Sequence, residues 1–354
     1  MNPVSSCDVV ERCGGCPWLA FGAADERAHK SNRVEALLDN LGLAGIRADF
    51  FESPQRIGYR NRIRLRIDDQ GRIRFFNSEK SPHCAALRPE LRQFVAQLQQ
   101  WAAAHTGRLT SFAHLEARTL DDLGRAGLLL TYHATAESNE PLIAKLTEHF
   151  SPCIVSTDRH AQLAWQRFSV HDGTYLLVPL NGFIQINPAV NHILVDQVVQ
   201  SVLDCKWGSF VDLYGGAGNF ALPLAHAGLQ GALVERNLDC VRAASQAALA
   251  QGISHIELQG GDAIELGRRY LSENRAFDAV VVDPPRAGVR GGLQVVSALA
   301  RRAIVYCSCN LESLERDLRE LTTDGWSLHR LAAFDMFPGT HQVEAVAWLA
   351  HNSR

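Results

Sequence analysis

The chain has 354 residues, 46% of them hydrophobic and 21% charged, with a formal net charge of −3. That composition belongs to a globular protein large enough for about two domains. It excludes a bulk electrostatic attraction to nucleic acid, so any RNA contact must come from local basic patches. No internal repeat, low-complexity tract or lipidation signal is present.

The chain opens on thiols. Cys7, Cys13 and Cys16 lie within CDVVERCGGCPW, and Cys84 follows in SPHCAALRPE. Three clustered thiolates with a remote fourth can close around zinc or around an iron–sulfur cluster, and spacing alone leaves zinc the more frequent occupant. No signal peptide or apolar span precedes Cys7, so a reduced metal site is a simpler inference than disulfides. The expectation is a cytoplasmic monomer with no membrane partner. Cys153, Cys205 and Cys240 show no ligand spacing.

Between the third and fourth thiols, GYRNRIRLRIDDQGRIRFF (58–76) alternates with a period of two. Arg60, Arg62, Arg64 and Arg66 fall on one face and Asn61, Ile63, Leu65 and Ile67 on the other. DDQG reads as a hairpin turn into Arg72 and Arg74. Rows of arginine at strand spacing, with few acids beside them, suit phosphate contacts along a folded RNA. A helical ELRQFVAQLQQWAAA, a strand-like GLLLTYHA and a further helix, EPLIAKLTEHF, then predict a small α/β region.

From about residue 179, short apolar runs alternate with amphipathic stretches: FVDLY (210–214), ALVER (232–236), HIELQ (255–259), FDAVVVD (277–283) and RAIVYCS (302–308). Strands alternating with helices imply a parallel sheet with crossovers, and ligands in such sheets sit outside the carboxyl ends of the strands. The expected fold class is therefore α/β. A Rossmann-like C-terminal domain follows an N-terminal metal-cluster and α/β RNA-binding region. The expected divisions are 1–87, 88–178 and 179–354.

Every chemical motif falls at a strand end. In DLYGGAG (212–218), Gly215, Gly216 and Gly218 let the backbone turn tightly against a ligand. Glu235 ends the next strand at the spacing of an acid that binds ribose hydroxyls. The turn reads D-x-x-G-G-x-G rather than G-x-G-x-x-G, and no hydride-transfer group follows, so S-adenosyl-L-methionine is a better cofactor than a nicotinamide. Asp262, in GGDA, could contact an adenine but reads better as a helix N-cap. Cys309, in IVYCSCN (304–310), and Glu344, in FPGTHQVE (337–344), offer a nucleophile and a carboxylate suited to methyl transfer onto an unreactive carbon. Cys307 is read as core.

DLYGGAGNFALPLA, VERN, VVVDPPRAGV, IVYCSCNLESLERDL and DMFPGTHQVEAVAWL, in this order, resemble the RNA (uracil-5)-methyltransferase family, whose members make 5-methyluridine in rRNA and tRNA. The similarity is densest from about 181 to 350, and NGFIQINP (181–188) resembles the segment that enters the family's methyltransferase domain. The resemblance implies cofactor contacts from Gln185, Tyr214, Glu235 and Asp283. It also implies Cys309 as the nucleophile and Glu344 as the base. It turns the thiol reading toward a four-iron, four-sulfur cluster on Cys7, Cys13, Cys16 and Cys84, with zinc as the runner-up.

The chain departs from the family pattern at Gln342, where a histidine usually precedes the V-E pair, although His341 is adjacent. Gly215 stands where many members carry cysteine. With six residues ahead of Cys7, the expectation is a member without the N-terminal β-barrel, an architecture that favours 23S rRNA over tRNA as substrate. The alternatives are a tRNA uracil-5 methyltransferase, an RNA cytosine-5 methyltransferase and a cluster-containing RNA-binding sensor without catalysis. The cytosine enzymes usually carry a cysteine where this chain has Pro284 and Pro285. The presence of both Cys309 and Glu344 speaks against the sensor.

Overall fold

The computed structural model describes residues 7, 13–43, 45–75, 84–120, 125–158 and 165–351. The N-terminal part carries a single 3-10 turn (Pro17–Ala20), helix α1 (Ala23–Asn40), β1 (Asp49–Phe51), β2 (Arg62–Ile67), β3 (Ile73–Arg74) and α2 (Pro89–Ala104). Then come β4 (Phe112–Leu120), β5 (Arg125–Tyr132), α3 (Glu140–His149), β6 (Ile154–Thr157), β7 (Trp165–His171) and β8 (Thr174–Pro179). The remainder alternates: α4 (Pro188–Asp204), β9 (Ser209–Leu213), α5 (Ala221–His226), β10 (Gln230–Glu235), α6 (Leu238–Ala250), β11 (Ile256–Gly260) and α7 (Ala263–Ser272). It ends with β12 (Phe277–Val282), α8 (Leu293–Leu299), β13 (Ala300–Ser308), α9 (Leu311–Thr323), β14 (Trp326–Phe334) and β15 (Glu344–His351).

Among the described residues, β1-β14-β15-β13-β12-β9-β10-β11 form an eight-stranded sheet in that order. Its strands are parallel except β15, which runs antiparallel between β13 and β14. The middle strands are apolar on both faces because helices cover both: Val280, Val281 and Val282 of β12 are all fully buried. One face packs on α4, α5 and α6 through Val190, Leu194, Phe220, Ala244 and Ala247. The other packs on α1, α7, α8 and α9 through Val34, Leu38, Ala263, Val296 and Leu314.

Chain order reverses between β9 and β12, so loops leave that pair in opposite directions and open a crevice at their carboxyl ends. Side-chain caps hold the helices that start there. Asn237 accepts from Asp239 N, Asp262 from Ile264 N and Glu265 N, and Asn310 from Glu312 N. Asp262 is thus the N-cap that its sequence position suggests.

A second sheet, β3-β2-β4-β5-β6, packs on α2 and α3 around Leu65, Leu91, Phe112, Leu128 and Leu146. β2 alternates as its sequence predicts, with Ile63, Leu65 and Ile67 buried and Arg64 and Arg66 exposed. The arginine face holds more acid than expected. Asp68 takes Arg72 at 2.8 Å and Arg74 at 3.1 Å, and Glu116 of the neighbouring β4 pairs with Arg118 and Arg62. The Arg62 guanidinium lies 4.6 Å from the ring centre of Phe183. Phe76, the last residue of the arginine segment, falls outside the described residues. No helix among the described residues is long and apolar enough to cross a membrane.

Candidate active site

A cleft opens at the β9/β12 switch point, the place where open α/β sheets bind ligands. Its walls include Phe168, Phe183, Gln185, Asn191, Tyr214, Gly216, Asn219, Phe220 and Asp283. The Gly-rich turn is bound to β10 through Glu235, whose carboxylate accepts Gly216 N–H at 3.0 Å and Asn237 N–H at 2.7 Å. Tyr214 sits at φ +67°, a left-handed conformation that a non-glycine residue adopts at a cost. Gly218 has φ +97°, and a Cβ there would lie 2.7 Å from Leu222 Cγ, so the turn tolerates no side chain at that position. Asn61 reaches across from the second sheet and donates to Gln185 O at 3.0 Å, fixing the wall that carries Gln185. Gln185, Tyr214 and Asp283 therefore share one cleft, and Glu235 buttresses it from behind.

Cys309 and Glu344 meet at the neighbouring strand ends. Ser308 of β13 pairs with Ala345 of β15, so the next residues along, Cys309 and Glu344, stand side by side. Glu344 also pairs with Phe334 of β14 and is buried. Burial, then the charge of Asp283, pushes the Glu344 carboxyl well above the usual range. Burial likewise pushes the Asp283 carboxyl up. The Cys309 thiol is pushed up to about 11 by burial and by Glu344 and Asp283, with Arg286 opposing. Cys307 is fully buried core.

Two residues to which the sequence reading gave no role at the site belong to this electrostatic group. Arg286, in the DPPRAG loop, is the cation acting on Cys309, and its carbonyl accepts from the Asn310 side chain at 3.0 Å. Its adjacency to Asp283 was the available signal. Asp212 is fully buried beneath the turn; one carboxylate oxygen accepts Ala221 N–H at 3.1 Å, and the other has no partner. Burial, with Asp283 nearby, raises its carboxyl far above the usual range.

His341, the neighbour of Gln342, has its ring turned to the N-terminal segment. It accepts from Trp18 Nε1 at 2.8 Å, and Trp18 stacks on His29 with ring centres 4.3 Å apart.

The four N-terminal thiols are neighbours. Cys16 is pushed up to about 12 by burial and by Cys84, Cys13 and Cys7, and Cys7 and Cys16 pack with Leu19 and Ala85. Burial raises the Cys84 thiol, opposed by the backbone N–H groups of Ala86 and Leu87 and by Arg60. Among the described residues, no group of three or more His, Cys, Asp or Glu side chains is arranged to hold a metal ion.

Comparison with known proteins agrees with this architecture. The sequence model described as tRNA (Uracil-5-)-methyltransferase matches residues 164–352. The chain is 30% identical, over 96% of its length and 79% of the relative's, to the 23S rRNA (uracil(1939)-C(5))-methyltransferase RlmD of Pseudomonas aeruginosa. It is 28% identical, over 96% and 80%, to the RlmD of Vibrio parahaemolyticus. Its fold superposes with a TM-score of 0.75 on the Pyrococcus abyssi tRNA (uracil-54, C5)-methyltransferase solved with S-adenosyl-L-homocysteine, at 21% identity over 95% of this chain and 85% of that one. With a switch-point cleft, a paired thiol and carboxylate beside it, and a family match over more than half its length, this chain belongs to the tRNA (uracil-5-)-methyltransferase family.

Proposed function

We propose that the protein methylates carbon 5 of a specific uridine in 23S rRNA, with S-adenosyl-L-methionine as methyl donor. The observation that carries the reading is the juxtaposition of Cys309 and Glu344 at neighbouring strand ends, close to Asp283 of the cleft wall. The names of the relatives similar over 96% of the chain support the choice of rRNA.

S-adenosyl-L-methionine, when bound, supplies a methyl group on a sulfonium. Gln185, Tyr214 and Asp283 would hold it in the cleft, with Glu235 free to take ribose hydroxyls through lone pairs that its two backbone donors leave open. Carbon 5 of uracil is a weak nucleophile. The Cys309 sulfur adds to carbon 6, and the electron pair of the carbon 5–carbon 6 double bond moves toward the O4 carbonyl, making carbon 5 nucleophilic. After carbon 5 is methylated, Glu344 takes its remaining proton, that C–H pair reforms the double bond, and the carbon 6–sulfur bond breaks with its pair returning to Cys309. For the first step the thiol must lose a proton that burial makes hard to lose, and the Arg286 cation works in the needed direction.

We assign Cys7, Cys13, Cys16 and Cys84 to a four-iron, four-sulfur cluster, with zinc as the runner-up; the Ala86 and Leu87 N–H groups at Cys84 support this. Its role in this reading is structural. Iron and acid-labile sulfide content decides between cluster and zinc, and Cys84→Ser is expected to lower RNA affinity and folding stability together with activity. The functional divisions follow: 1–87 for the cluster and arginine hairpin, 88–178 for RNA grip, and 179–354 for methyl transfer.

The test is methyl transfer from labelled S-adenosyl-L-methionine into unmodified 23S rRNA and tRNA, with nucleoside analysis. Label in 5-methyluridine of 23S rRNA is the expected result. Label in tRNA alone would reassign the substrate, and label in 5-methylcytidine would reassign the reaction.

A further inference from the structure

The backbone from Phe337 to His341 is the approach to Glu344, and most of its polar groups are held from the N-terminal segment. Lys30 Nζ donates to Phe337 O at 3.1 Å, Tyr59 OH donates to Pro338 O at 3.1 Å, and Gly339 N–H donates to Glu26 Oε1 at 2.6 Å. Trp18 N–H donates to Gly339 O at 2.9 Å, and Arg33 donates to His341 O. The contact is close enough to require glycine: residue 339 has φ +81°, and a Cβ would lie 2.7 Å from Leu19 Cγ.

The centre of this clamp is a largely buried ion cluster. Lys30 is fully buried, and its ammonium meets Glu26 at 2.7 Å and Asp335 at 2.6 Å, which with Phe337 O accounts for its three protons. Glu26, 3% exposed, is also paired with Arg56 at 2.6 Å. Buried ion pairs add little stability over an apolar pair of the same volume, because desolvation offsets the attraction. An apolar pair could not hold main-chain carbonyls and N–H groups in fixed directions. Here the charges serve that purpose on the one loop that leads into the base.

We propose that Glu26 and Lys30 are positioning residues for proton removal: anchored on α1, they fix the 337–341 turn so that the Glu344 carboxylate meets the carbon-5 proton of the covalent adduct. The inference rests on the reading of Glu344 as that base. It separates the two halves of the reaction, since formation of the adduct and methyl transfer depend on Cys309 and the cleft, while release depends on Glu344.

The experiment uses RNA with tritium at carbon 5 of its uridines and follows methyl transfer and tritium release separately in one turnover. Glu26→Gln and Lys30→Met are expected to leave methyl transfer within about 3-fold of the unaltered protein, while tritium release falls about 10-fold or more and a denaturant-stable protein–RNA adduct accumulates. Lys30→Met leaves buried Asp335 without its cation and Glu26 with Arg56 alone, and can fail to fold. Tyr59→Phe, which removes only the bond to Pro338 O, then carries the test with an expected slowing of release of about 3-fold and unchanged transfer. Equal slowing of both steps, or release at the normal rate in folded Glu26→Gln and Tyr59→Phe, overturns the proposal. Glu344→Gln is the internal reference. If it traps adduct and the clamp variants do not, the clamp alone is wrong; if it releases tritium at the normal rate, the base assignment fails and the clamp proposal falls with it.

Discussion

Cys309 and Glu344 stand one step beyond the Ser308–Ala345 pair of the antiparallel β13–β15 ladder, so the two groups that bracket the proposed reaction are set by one strand register. A slip of one residue in that ladder would turn Glu344 to the opposite face of the sheet. Their separate roles predict different failures. Cys309→Ala is expected to lose methyl transfer entirely while still binding S-adenosyl-L-methionine, and Glu344→Gln is expected to accumulate a covalent RNA adduct visible on a denaturing gel. Normal turnover in either variant would remove that residue from the mechanism.

Arg286 is expected to shape the pH dependence. The reactive form of Cys309 is its thiolate, and with the thiol pushed up to about 11 the thiolate fraction increases as pH rises through the neutral range. Arg286 opposes that upward push, so Arg286→Gln should move the pH profile of the first step to higher pH. Each unit of displacement lowers the rate at neutral pH by about tenfold. An unshifted profile would show that Arg286 does not act on the Cys309 thiol.

Asp212 carries a stability prediction of definite sign. Its folded-state carboxyl is raised by burial, whereas in the unfolded chain it titrates near ~3.9. Between those values the folded state holds a proton that the unfolded state lacks. Its contribution is therefore fully present below the unfolded value and is lost as pH rises through the folded one. Asp212→Asn keeps an acceptor for Ala221 N–H and cannot ionise. Urea denaturation across pH 5 to 8 should show stability falling less steeply in the variant, by at most about 1.4 kcal/mol per pH unit. Identical slopes would mean that Asp212 is ionised in the folded protein.

On the arginine face, Arg64 and Arg66 are exposed, whereas Arg72 and Arg74 are paired with Asp68. Arg66→Ala should weaken RNA binding and lower the salt dependence by about one unit of slope for one lost phosphate contact. Affinity for S-adenosyl-L-methionine should not change. An unaltered salt slope would show that this face does not meet the RNA backbone.

The strands that carry the site were legible because they are buried on both faces. FDAVVVD and RAIVYCS read as apolar runs for the same reason that β12 and β13 lie in the middle of the sheet. Asp262 was legible as a cap because capping is a local hydrogen bond. What escaped depends on chain segments far apart in sequence. β1 is three residues long, yet it extends the large sheet by pairing with β14. α1 buries Glu26 and Lys30 beside Val34 and Leu38, and a helix whose inner face includes two charges looks, in sequence, like one with a solvated face. The pairing of Glu116 in β4 with Arg62 in β2 is likewise invisible to a pattern read along one strand.

The central claim is that Cys309 bonds to carbon 6 and that catalysis is completed by removal of a proton from carbon 5. RNA containing 5-fluorouridine tests it directly, because fluorine at carbon 5 cannot leave as a proton and the reaction stops at the methylated adduct. Incubation with S-adenosyl-L-methionine, denaturation and peptide mass spectrometry should find a methylated fluorouracil nucleotide attached to Cys309. Attachment to any other residue, or no denaturant-stable complex from protein that methylates ordinary RNA, would contradict the account.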